Sequence, residues 1–144
     1  MKTLNTTAVI VWISAITLAF ATPALAEVYA KQSLLKFDKK DVLGGTGVLK
    51  GEYAFTRDKA LKEHAIKEIS WLTLQPGDSI GYHKHTTNDD TLIIVSGQGT
   101  FKDNDGKDVA VGPGDVTIAR KGESHGLANT GHTPLVFVDV IAEQ

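Results

Sequence analysis

From Ile66 to the end of the chain, short apolar runs are separated by clusters of glycine, proline, asparagine and aspartate. Ile69, Trp71 and Leu74 mark a strand-like run that Pro76-Gly77 ends. Thr91-Leu92-Ile93-Ile94-Val95 is a second run, closed by Gly97 and rich in the β-branched side chains that fit a pleated surface. Gly99 to Lys102 resumes the pattern, and Asp103-Asn104-Asp105-Gly106 reads as a hairpin turn because these residue types tolerate positive φ. Val109 and Val111 follow, then a turn at Gly112-Pro113-Gly114-Asp115, then Val116 and Ile118, then Leu127. Leu135 to Ile141 is the last strand. Val136, Val138 and Val140 share one of its faces, and Leu135, Phe137, Asp139 and Ile141 share the other. One face is expected to point into a barrel, the other to meet a second sheet or a partner subunit. Short strands at regular spacing predict an all-β sandwich or barrel, with interior side chains drawn from Trp71, Ile93 and Phe137 or Val138.

The earlier part of the chain is less regular. Glu27 to Lys40 is polar without clear periodicity and reads as an extended lead-in or a frayed terminus. Leu43-Gly44-Gly45-Thr46-Gly47 is a flexible turn before a strand at Val48 to Phe55. It lacks the lysine and following helix of a phosphate loop. Arg57 to Lys67 is a helical or irregular stretch whose charges form a solvated face. At the N-terminus, Lys2 precedes an apolar run from Ala8 to Phe20, and Pro23 precedes the small-x-small triplet Ala24-Leu25-Ala26. That is the layout of a signal peptide cleaved after Ala26, the apolar run being short of the roughly 20 residues of a bilayer span. The expected organisation is a signal peptide over 1–26, an extension with the first strands over 27–65, and the barrel core over 66–144. The expected location is the periplasm or the exterior, with no membrane attachment after cleavage.

Composition narrows the function classes. The chain carries 15 basic and 17 acidic residues among 144, and loss of Lys2 with the leader tips the balance further to the acidic side. That charge does not suit a nucleic-acid partner. With no cysteine there is no disulfide, no thiolate ligand and no thiol nucleophile. Any metal is held by nitrogen and oxygen.

Two of the five histidines, His83 and His85, stand at i and i+2. Side chains alternate along a strand, so both imidazoles face the same side. His125 follows forty residues later in its own glycine-flanked segment. Three such histidines point to a metal site. His64, in the charged stretch, and His132, in the turn Thr130-Gly131-His132-Thr133-Pro134, fall outside that pattern.

Spacing sharpens this reading. Gly77 is followed by five residues, His83, Lys84 and His85, then four residues to Asp90 and six more to Gly97. Gly114 is followed by five residues to Arg120-Lys121-Gly122, two more to His125 and three to Asn129. These two stretches resemble the paired motifs of the cupin superfamily, in its small single-domain form. The family has glutamate where Asp90 stands and proline where Arg120 stands. The resemblance implies a double-stranded β-helix, or jelly-roll, with His83, His85, Asp90 and His125 as metal ligands. Spacing to Gly97 favours Asp90 over its neighbour Asp89, which should point the other way. Asn129 matches a position that braces a loop. The implied cofactor is one divalent transition metal, Fe, Mn, Ni, Co or Zn. The implied partner is a small-molecule ligand or substrate, and a homodimer is expected. Function is expected to be metal-dependent enzymology on a small organic molecule, with oxidoreductase chemistry favoured over sugar or sugar-acid isomerase or lyase chemistry. A non-enzymatic binding module is the other reading. No catalytic residue is assigned; Glu123 and Tyr82 are the candidates for a general base.

Overall fold

The computed structural model describes residues 26–143. The signal-peptide reading therefore lies outside the described residues except at Ala26. Ten strands follow in chain order: β1 (Leu35–Lys40), β2 (Val48–Phe55), β3 (Ile66–Leu74), β4 (Ser79–Lys84), β5 (Asp89–Ser96), β6 (Gly99–Lys102), β7 (Asp108–Val111), β8 (Val116–Ala119), β9 (Ser124–Ala128) and β10 (Leu135–Ala142). They form an antiparallel six-stranded sheet, β1-β2-β3-β10-β5-β8, and an antiparallel four-stranded sheet, β4-β9-β6-β7. This is the jelly-roll arrangement that the resemblance implies, within the all-β class that the turn spacing predicts.

The turns form for the reasons the sequence suggests. In the β6–β7 hairpin, Asp103 Oδ1 accepts the backbone N–H groups of Asp105 and Lys107 at 3.0 and 2.8 Å. Before β8, Asp115 accepts the Gly112 N–H at 2.8 Å. Asn129 is buried behind the last strand. Its amide donates to the carbonyls of Leu74 at 2.8 Å and Thr133 at 2.9 Å, and its Oδ1 accepts the Gly131 N–H at 3.0 Å. One side chain thus ties the end of β3 to the turn that precedes β10.

The apolar core lies between the sheets, centred on Phe137, Leu72, Leu74, Ile94, Leu127 and Leu135. Phe137 sits in register between Leu72 on β3 and Ile94 on β5 and is fully buried. Trp71 and Ile93 do not join it. They are 45% and 39% exposed on the outer face, flanking Val138. Because a strand's side chains alternate strictly, giving Leu72 and Ile94 to the interior sends Trp71 and Ile93 outward.

Two further expectations change, and one choice left open is decided. The lead-in contains a true strand, β1, which occupies the edge of the larger sheet, so Val48–Phe55 is an inner strand with both neighbours paired. Residues 57–65 form turns, the irregular one of the two alternatives, pinned where Lys67 Nζ donates to the carbonyls of Leu61 and Lys62 at 2.9 and 2.8 Å. The glycine-rich turn at 43–47 is docked rather than free. Ser79 N–H donates to the Thr46 carbonyl at 2.8 Å, and Thr46 N–H donates to Ser79 Oγ at 2.9 Å. Gly45 and Gly81 let this turn lie against β4, since a Cβ on either would run into backbone of the other segment.

Candidate metal centre

β4 and β9 pair so that His83 stands directly opposite His125. His85 follows just past the end of β4. Its N–H donates to the Glu123 carbonyl at 2.9 Å, and its own carbonyl accepts the Gly122 N–H at 2.6 Å, so the backbone there is as fixed as in the strand. Asp90 comes from the other sheet, on β5, opposite Ile141 and Ala119. The four side chains meet between the sheets, with one ligand-type atom from each lying within 4.8 Å of all the others.

The geometry is close. His85 Nε2 and His125 Nε2 are 2.9 Å apart, and Asp90 Oδ2 is 3.2 Å from each. The three imidazole centroids are 4.7–4.8 Å from one another. His83 Nδ1–H donates to the Gly81 carbonyl at 2.9 Å, which leaves its Nε2 for the cluster. The Asn88 amide nitrogen, 2.9 Å from His85 Nδ1, holds that ring. His85, Asp90 and His125 are buried, and His83 is half-buried.

Burial pushes the His83 and His85 pKa values down despite the nearby Asp90 charge. Burial works in the opposite direction on Asp90, but hydrogen bonding to His125, the His125 field, a hydrogen bond from Asp139 and His85 outweigh it and hold the carboxyl below its ordinary value. Neutral imidazoles beside an ionised carboxylate are the protonation states that ligands need. Asp139, on the inner face of β10, is pushed well above the usual carboxylate range by burial, then by the charge and hydrogen bonding of Asp90.

The residues present fit a metal ion. Nitrogen ligands about 2.1 Å from an ion lie about 3.0 Å apart at right angles and about 3.4 Å apart at tetrahedral angles. The observed 2.9 and 3.2 Å separations lie near the right-angle value and midway between the two. Three imidazoles and one carboxylate converging on one point are the nitrogen and oxygen donors such an ion takes.

The other sequence candidates lie elsewhere. Asp89 accepts the Lys121 N–H at 2.8 Å and an Arg120 N–H at 3.0 Å, which holds its pKa down on the outer side. Arg120, standing where the motif has proline, thus fixes the neighbouring acid away from the cluster. Tyr82 points out, its hydroxyl donating to the Asn104 carbonyl at 2.8 Å. Glu123 accepts the Arg120 N–H at 2.8 Å. His64 and His132 are exposed and outside the cluster.

The histidines open onto a cavity of about 300 Å³ between the sheets. Its wall adds residues that periodicity did not single out: Lys39, Tyr53, Arg57, Glu68, Ser70 and Asp139. For Asp139 a signal was present, an acid at an interior position of an otherwise apolar strand. The others come from segments whose strand parity is not visible in the sequence.

A cupin-domain family model matches residues 70–141. The chain belongs to the cupin family. It is 40% identical over 98 residues to the oxalate-binding protein of Thermotoga maritima, an alignment covering 68% of this chain and 78% of that protein. The cupin fold superposes on a predicted oxalate decarboxylase from Thermotoga maritima with a TM-score of 0.74 at 31% identity, over 82% of this chain and 100% of that one. It also matches an uncharacterised conserved protein with a double-stranded β-helix domain from Klebsiella pneumoniae, with a TM-score of 0.52 at 30% identity, over 58% of this chain and 72% of that one.

Proposed function

We propose that this cupin is a divalent-metal protein that binds and turns over a small carboxylic acid of the oxalate type. The observation that carries the reading is the convergence of His83, His85, His125 and Asp90 on a cavity that also exposes the cations Lys39 and Arg57. The four ligands would hold the ion, and imidazole and carboxylate donors suit Fe, Mn, Ni, Co or Zn. The ion, when bound, supplies a Lewis acid for a carboxylate oxygen. Lys39 and Arg57 draw an anion in, and the apolar side chains of Phe37, Leu49 and Leu72 keep water from the remainder of the cavity. Breaking the carbon–carbon bond of oxalate to give formate and carbon dioxide consumes one proton. Asp139, pushed well above the usual carboxylate range by burial and then by Asp90, stands beside Asp90 in the cavity as the group to supply it.

A binding role without turnover is the second reading, favoured by the outward placement of both Tyr82 and Glu123. Protein loaded in turn with each metal and incubated with oxalate separates the two. Formate and carbon dioxide release is the expected result. Saturable, metal-dependent heat without product establishes the binder, and neither signal with any metal overturns the acid reading. Dioxygen uptake and a sugar-acid substrate in the same assay test the oxidoreductase and isomerase readings of the sequence.

Export to the periplasm or exterior belongs to the same proposal, supported by the Ala8–Phe20 run and the Ala24-Leu25-Ala26 triplet. So does a homodimer. Trp71, Val138, Ile93 and Val116 form one cross-strand row over β3, β10, β5 and β8 on the outer face, a contiguous apolar stripe suited to a second copy. Light scattering at micromolar protein should give twice the chain mass, and Val138→Glu should halve it. A monomer mass for the wild type removes the dimer.

A further inference from the structure

We infer that the cavity carries a second carboxylate-binding subsite, formed by Lys39, Tyr53 and Ser70 on the wall reaching away from the histidines, so that the acid taken up is longer than oxalate. The inference rests on the metal-held acid proposed above.

Three strands place these groups side by side. Tyr53 on β2 is in register with Ser70 on β3, and Ser70 is in register with Asp139 on β10. All line the cavity that the histidines share. Ser70 is fully buried and its Oγ has no hydrogen-bond partner. A buried hydroxyl left unpaired destabilises the fold, so its presence inside the barrel points to a partner that arrives from outside. Lys39 Nζ donates to the Tyr53 hydroxyl oxygen at 2.8 Å. The phenol oxygen therefore accepts, and its own hydrogen is free to be donated into the cavity. The ammonium is also held 4.8 Å from the Phe37 ring and 5.4 Å from the Tyr53 ring, and these two rings stack at 4.2 Å. Gly51 makes room for Phe37, since a Cβ there would run into its ring.

The result is one ammonium and two hydroxyls, three donors of the kind a carboxylate needs. Burial of Glu68, half-buried on the same wall, raises its pKa against the opposing charges of Arg57 and then Lys39. The distance decides the ligand class. β3 is separated from β5, which carries Asp90, by β10 alone, so the two backbones are about 10 Å apart at the usual strand spacing. A dicarboxylic acid with methylene groups between its carboxylates reaches further across that separation than oxalate, whose carboxylates are joined by one bond, and a cavity of about 300 Å³ accommodates it.

Calorimetry on the metal-loaded protein tests this with oxalate, succinate and glutarate against the monocarboxylates butyrate and valerate. The wild type should bind the longer diacids about tenfold more tightly than the monoacids of equal length, the loss expected for a hydrogen-bonded anion. Tyr53→Phe and Ser70→Ala should each remove most of that preference while leaving metal content and oxalate affinity unchanged. Ser70→Ala should also raise Tm, because it deletes an unpaired buried hydroxyl; a purely structural serine would lower Tm and leave the diacid preference intact. No preference in the wild type, or the same preference in both variants, overturns the subsite. If oxalate still binds, the acid reading survives that result; if no acid binds to loaded protein, both fall together.

Discussion

Alanine in place of His125 is expected to strip the metal from this cupin while leaving the barrel folded. His125 offers Nε2 at 2.9 Å from His85 Nε2 and 3.2 Å from Asp90 Oδ2, so it stands at the centre of the donor set. Changes to groups that only orient ligands cost about 10- to 100-fold in affinity, and loss of a ligand itself should exceed about 100-fold. Elemental analysis after desalting should fall from near one equivalent to near zero, with far-ultraviolet circular dichroism unchanged. Asp90→Asn should weaken binding in the same direction. Asp89→Asn should not, because Asp89 is committed to Arg120 and the Lys121 N–H. Full metal content in the His125 variant, or the opposite order for the two aspartates, would show that the ligands were wrongly assigned. Acid should release the metal as the imidazoles take up protons. Burial places the His83 and His85 pKa values below that of free histidine, about 6.5, so release is expected below that pH. In the metal-free protein the same depressed values mean that unfolding takes up protons, and stability falls as pH drops through the unfolded value.

The second large effect concerns the core. Phe137→Ala should lower stability by about 3–5 kcal/mol. The ring has no exposed surface and is clamped in register between Leu72 and Ile94, so the strands on either side cannot close over the space it leaves. A domain of this size has about 5–15 kcal/mol in total. The variant should therefore unfold at a much lower urea midpoint with an unchanged slope. Trp71→Ala, on the outer face of the adjacent strand, should cost far less in a monomer. Equal losses for the two would contradict the placement of the core.

Legibility differed with the kind of signal. His83 and His85 were readable because one strand fixes their relative direction, and the spacing to His125 matched a known motif. The Asp103 and Asp115 turns were readable because their chemistry is local. Ile93 faces outward where the sequence reading put it inside, because Thr91-Leu92-Ile93-Ile94-Val95 is apolar at both parities and only the register against β10 shows which residues face inward; Trp71 is reversed likewise by its neighbours Leu72 and Leu74. β1 was missed because an edge strand with only Phe37 tucked inward leaves no periodic trace. Ser70, Tyr53 and Lys39 converge only after β1, β2 and β3 have paired, a nonlocal event that no sequence window contains.

The four candidate ligands are divided between the sheets: His83, His85 and His125 belong to the β4–β9 pair, and Asp90 to β5. An ion seated among them is a rivet through both layers of the sandwich. In a chain without a single cysteine, that rivet takes the mechanical place of a disulfide. It would differ in one respect: a chelator could withdraw it and the next ion could restore it, so the rigidity of the barrel would follow the metal supply around it rather than the redox state.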